Sequence, residues 1–219
     1  MKNYLMIITC LIILGCEKQE DIIIYDDSYY NSDYGNNDSS SPEIYFTGSI
    51  DNVQHNYSTN SSDIQYSYGF GYGSSFNPCN SIDTSHTHSY GSSITRKDTT
   101  YNPIISLSKQ HISYIGDTGA PDSTFYNFFG LGNYTFAHYS NQFGFQLTFY
   151  DSNGKKWRTD YGTANQQNSS ISIINVDKMD DPSEIYVLIS FNCTLYDTTG
   201  NSIEVTNAVY YGKFKNFEH

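Results

Sequence analysis

FNCTLYDTTGNSIEVTNAVYYGKF (191–214) is the stretch from which the fold can be read. Together with Val187 and Ile189 just before it, Phe191, Cys193 and Leu195 recur at every second residue, the period of a strand with one buried face. DTTGN (197–201) then supplies a turn, and SIEVTNAVYYGKF returns as the partner strand. A second unit of the same kind lies upstream. Phe143, Phe145, Leu147 and Phe149 share one face, Gly144, Gln146, Thr148 and Tyr150 take the other, and DSNG (151–154) turns the chain into KKWRT. Weaker strand patterns are expected near 44–50, 64–72, 87–95, 103–108, 133–138 and 169–176. One helix is expected, DSTFYNFFGLG (122–132), capped by Asp122 or Ser123 and ended by Gly130 or Gly132. Short strands with Gly-, Asn- and Asp-rich turns and no internal repeat predict an all-β domain over 44–219, an antiparallel β-sandwich with one short helix.

The charge is unevenly spread. The formal net charge of the 219-residue chain is −12, and Glu17–Glu43 carries eight acidic residues against one lysine. The folded part is therefore only mildly acidic, without the basic face that nucleic acid requires, so no nucleic-acid partner is expected. The segment 16–43 is rich in Asp, Ser, Asn and Tyr and reads as a disordered tether. A coil of that length spans about 30 Å. Its apolar patch, Ile22–Tyr25, is a candidate docking element.

Ahead of the tether, Lys2 is followed by an apolar run, Tyr4–Leu14, that is too short to cross a bilayer as a helix but fits the core of a signal peptide. The run ends Ile13-Leu14-Gly15-Cys16, which resembles the lipobox of bacterial lipoproteins. The resemblance implies removal of residues 1–15 and acylation of Cys16, and two or three acyl chains give stable anchoring where one does not. EKQED (17–21) resembles the short acidic signal that takes Bacteroidota lipoproteins to the outer face of the outer membrane. The layout as a whole is similar to small Bacteroidota surface lipoproteins with a β-sandwich behind a tether. That likeness implies an outer-membrane location facing the cell exterior and a membrane contact through Cys16. It assigns no activity.

Several residues are candidates for chemistry. In YSYGFGYG (66–73), Tyr66, Tyr68, Phe70 and Tyr72 alternate with small residues. They form either a stacking platform for sugar rings or a core-facing row with glycines against another backbone. Tyrosine is abundant, at 22 residues, which suits both binding surfaces and half-buried strands. His86 and His88 lie two apart and offer two metal ligands, but the Ser/Thr-rich SHTHSY segment favours solvated histidines, and no metal or other cofactor is expected. Cys79 and Cys193 either form a disulfide or leave Cys193 as a small core residue. The DSNG and DTTGN segments read as hairpin turns rather than calcium loops, because later carboxylates are missing. Asp-Ser/Thr patterns at Thr99, Ser123 and Thr198 resemble O-glycosylation sites of exported Bacteroidota proteins.

No nucleophile elbow, zinc-protease motif or phosphate loop is present, and the domain carboxylates fall in apparent turns. The expectation is a non-catalytic binding module for a glycan or protein partner. The alternatives are a structural component of an envelope complex and, behind it, a hydrolase.

Overall fold

The computed structural model describes residues 42–76, 84–97, 103–115, 120–138, 140, 142–161 and 166–216, with backbone alone at 70–76, 84–86 and 115. Strands β1 (Tyr45–Ile50), β2 (Val53–Ser58), β3 (Ile64–Phe76), β4 (Thr84–Arg96) and β5 (Pro103–Ile115) lead to the helix α1 (Asp122–Phe128). Strands β6 (Gly132–Tyr134), β7 (Gly144–Tyr150), β8 (Lys156–Arg158), β9 (Ser170–Lys178), β10 (Glu184–Tyr196) and β11 (Ser202–Lys215) follow. They form one antiparallel sheet in the order β2-β1-β11-β10-β8-β7-β5-β4-β3. The sheet forks at β10, whose first part pairs with β9, and β9 in turn with β6, while its last residue pairs with β8.

The sheet curls until its two halves face each other. β11 packs against β3 and β4, and the two outermost strands, β2 and β3, approach one another, so the sandwich nearly closes into a barrel. Polar groups join the halves across the core: Tyr210 Oη donates to Ser92 Oγ at 3.0 Å, and Tyr90 Oη to Asn216 Oδ1 at 3.1 Å. The alternation expected in 187–195 is present, with Val187, Ile189, Phe191, Cys193 and Leu195 all buried. Phe145, Leu147 and Phe149 line the same interior from β7. Phe143 precedes the strand and is 61% exposed.

Two of the bulges in the long strands bring a residue to positive φ. On β11, Thr206 and Asn207 stand opposite a single residue of β10, and Asn207 takes φ +51° with its N–H donating to Asn192 Oδ1 at 2.7 Å. On β5, Gln110 and His111 stand opposite Ser89, and His111 takes φ +62°. Past this bulge β5 no longer pairs with β7 and continues beside β4 alone. β2 follows β1 through Asp51 and Asn52, both at positive φ, a two-residue reversal into a strand beyond those expected from periodicity.

The helix is shorter than expected and its start differs. Pro121 occupies the N-cap position and no side chain caps the helix, so neither Asp122 nor Ser123 has that role. Proline's fixed φ and missing N–H suit a helix start. What holds α1 is packing: Phe125 and Phe129 are fully buried, with Tyr90 at 4.9 Å from Phe125 and Phe214 at 4.6 Å from Phe129 between ring centroids.

Candidate functional site

The aromatic row expected at 66–72 is divided. Tyr66 and Tyr68 are buried in the core cluster, so neither ring offers a face to a sugar. Tyr66 lies close to Tyr186, Tyr68 and Glu184, and burial first, then those neighbours, push its pKa up to about 12. The side chains of Phe70 and Tyr72 lie outside the described residues, as does that of His86.

His88 is not solvated: it is 1% exposed, with Tyr114 Oη 2.9 Å from Nε2 and Tyr90 Oη 3.4 Å from Nδ1. The bent β5 brings Tyr114 over the histidine, so its polar atoms are met inside the protein. Among the described residues no group of three His, Cys, Asp or Glu side chains is placed to hold a metal ion. Cys193 is a free buried thiol between Phe191 and Leu195, and burial raises its pKa well above the ordinary value, which leaves it unreactive. Cys79, Thr99 and Cys16 lie outside the described residues. Ser123, on the first turn of α1, and Thr198, at the β10–β11 turn, are both exposed.

The two expected turns occur, and they touch. The Asp197 carboxylate accepts from the backbone N–H groups of Thr199 at 2.9 Å and Asn201 at 2.8 Å. Asp151 does the same for Asn153 and Lys155, both at 2.9 Å, and its other oxygen accepts from Trp157 Nε1 at 3.2 Å. Lys155 then bridges the loops, 2.6 Å from Asp197 Oδ2, and this contact is the leading cause that holds the Asp197 carboxyl well below the usual carboxylate range. Both carboxylates are occupied by their own turns, as hairpin loops require.

These turns fix the neighbouring outer face of the sheet, where the best candidate for binding lies. In β8, Trp157 is buried and Lys156 and Arg158 point outward on either side of it. The register places Tyr150 opposite Lys156, and Thr148 and Tyr196 on either side of Arg158. Arg158 grips Asp160 with two bonds, Nε to Oδ1 at 2.8 Å and NH2 to Oδ2 at 2.7 Å. Gln146 Nε2 donates to the same Oδ2 at 2.9 Å. Burial works against the Arg158 charge, but Asp160 and then Tyr161 more than offset it, and its pKa is raised.

Tyr161 lies against Arg158, with the guanidinium carbon 4.8 Å from the ring centroid. Lys156 Nζ sits between two rings, 5.8 Å from the centroid of Tyr150 and 6.0 Å from that of Tyr161. Tyr150, Lys156 and Tyr161 are partly buried and keep a side toward solvent, whereas the Arg158 and Asp160 side chains are only 18% and 9% exposed. Half-exposed aromatic rings beside a held amide, carboxylate and guanidinium suit a polyhydroxylated ligand, whose apolar faces stack and whose hydroxyls need fixed partners. The signal for this face was the alternation in KKWRTD, outward Lys156, Arg158 and Asp160 around inward Trp157 and Thr159.

The interior holds a second group that strand periodicity could have revealed. Lys109 continues the inward line of Ile105 and Leu107 on β5 and is 4% exposed. Its ammonium donates to the carbonyl of Phe128 at the end of α1. The rings of Tyr134 and Phe128 lie 3.6 and 4.4 Å from Nζ, with Phe145 and Phe129 beyond. Burial lowers its pKa to about 7. Lys109 anchors the end of the helix to the sheet.

In comparisons with protein-family models, with curated proteins and with solved structures, the chain matches none.

Proposed function

We propose that this protein is anchored to the outer membrane through acylated Cys16, faces the cell exterior, and binds a glycan or a protein partner without catalysing a reaction. The observation that carries the binding reading is the outer face of β7 and β8, where Tyr150 and Tyr161 flank the Gln146–Asp160–Arg158 network. The nearby carboxylates support binding over hydrolysis. Glycoside hydrolysis needs a protonated and an ionised carboxyl on either side of one bond. Asp151, Asp160 and Asp197 instead each hold turn or arginine donors in place. The anchor and the location rest on the lipobox and acidic-signal resemblance.

The test is a glycan array probed with the full chain and with a Tyr150→Ala/Tyr161→Ala variant. The expected result is binding that falls about 10-fold or more in the variant, equivalent to about 1.4 kcal/mol, with thermal stability retained. An unchanged signal in the variant, or no glycan bound by the parent, overturns it.

A second reading, a component of an envelope assembly, is favoured by a different observation. Leu131 and Ile174, 68% and 52% exposed, flank the Gly132–Ile173 pair at the end of the β6–β9 ladder. Crosslinking that joins this edge to another envelope protein, in a chain that binds no glycan, would replace the first reading by the second.

A further inference from the structure

We propose that the β7–β8 face selects an anionic sugar, one carrying a carboxylate or a sulfate ester, and that Lys156 recognises the charge; this rests on the glycan-binding reading above. Three cations lie on or beside the face, and two are already neutralised. Lys155 pairs with Asp197 at 2.6 Å, and Arg158 is held by both oxygens of Asp160. Asp160 in turn is shared with Gln146, so that network is closed to a further charge.

Lys156 differs. Among the described residues no carboxylate forms an ion pair with it, and its Nζ lies over Tyr150 and Tyr161 instead. A cation over a ring at an exposed site is held less strongly than one in a charge-assisted hydrogen bond to an anion. The lysine is thus held between two stacking surfaces with its charge unspent. A sugar lying on either ring brings a ring substituent within reach of that ammonium, and the substituent that fits is anionic.

The rest of the molecule sharpens the inference. A chain of net charge −12 repels polyanions as a whole, so a preference for an anionic glycan must come from local recognition.

The experiment uses polymer pairs that share a backbone and differ chiefly in charge: polygalacturonate against its methyl ester, and dextran sulfate against dextran. The full chain is titrated with each by calorimetry. The expected result is at least 10-fold tighter binding of one charged member than of its neutral counterpart, and the pair showing the gap tells carboxylate from sulfate. The gap should close in Lys156→Gln and shrink in 0.5 M salt. It should persist in Lys178→Gln, which removes a lysine lying over Tyr126 at 4.2 Å elsewhere on the surface.

Equal binding of charged and neutral members overturns the inference and leaves the glycan reading standing. A gap that survives in Lys156→Gln does the same. Binding of none of the four polymers overturns the inference, and an empty glycan array would separately overturn the reading beneath it.

Discussion

An ammonium group enclosed by aromatic rings and one carbonyl makes folding depend on pH in a calculable way. The pKa of Lys109 is lowered to about 7 in the folded protein, against 10.5 for an ordinary lysine. Between those values the unfolded chain binds a proton that the folded chain does not, so stability must rise with pH across that window. The expected slope is about 1.4 kcal/mol per pH unit, or roughly 2 kcal/mol between pH 7.5 and 9. His55 and His111, lowered by burial below the usual 6.5, complete their titration under that range, and the raised Tyr66 titrates above it. The buried Cys193 thiol, raised in the fold, ionises first in the unfolded chain near the top of the range and offsets part of the slope. The lysine's share is therefore the difference between the parent and a Lys109→Met variant. Urea unfolding at pH 7.5, 8.25 and 9 should show the slope in the parent and its loss in Lys109→Met. A parent whose stability changes with pH no differently from that of Lys109→Met would show that the lysine stays charged in the fold.

Elements depend on close approach as much as on pattern. Gly212 of β11 lies opposite Val187, and the Tyr210 ring and Ser92 crowd the space above it. A Cβ built there would stand 2.2 Å from Tyr210 Cε1 and 2.6 Å from Ser92 Oγ. The Tyr210–Ser92 bond joins the two halves of the sandwich, so Gly212→Ala must displace the ring and break that bond. Overpacking of this kind costs about 1–3 kcal/mol, with loss of the bond in addition. The variant should therefore melt several degrees lower, while Gly154→Ala, where no atom lies within 4 Å of the added Cβ, isolates the cost of positive φ alone. An unchanged melting temperature in Gly212→Ala would mean that the ring moves away freely.

The same elements show why some of the structure was legible in the sequence and some was not. β7, β10 and β11 announce themselves because one face of each is apolar and the other faces water. β2 carries no such alternation: Val53 and Gln54 are exposed and the strand lies at the sheet's edge, so periodicity is silent. The Tyr66–Tyr68 row was open between two faces, because such a row packs equally well on either until β11 covers it. His88 read as solvated because its Ser/Thr-rich neighbours carry no sign of the Tyr114 and Tyr90 hydroxyls that meet it. The β7–β8 face joins residues from two strands and the segment after β8 through side-chain bonds. Its outward positions were visible, but the Arg158–Asp160–Gln146 network was not.

At the scale of the whole molecule, the place where the sheet begins bears on the proposed anchoring. Ile44 is 1% exposed and doubly bound to Thr59, donating its N–H to Oγ1 at 3.0 Å and accepting from the Thr59 N–H at 3.0 Å. The strand that follows is held between β2 and β11, so the ordered fold resists proteolysis from its first residues onward. A protease therefore meets a strand paired on both sides at 45–50, and the sequence before it is acidic and rich in Ser and Asn. On the proposed topology, brief proteolysis of intact cells should release the sandwich as one fragment cut ahead of Ile44, while a periplasmic marker survives. Cys16→Ala, which removes the proposed acylation site, should instead leave the chain in the soluble fraction. Protection of the parent until the outer membrane is permeabilised would place the sandwich in the periplasm, and its ligand would then have to be sought among periplasmic glycans and proteins.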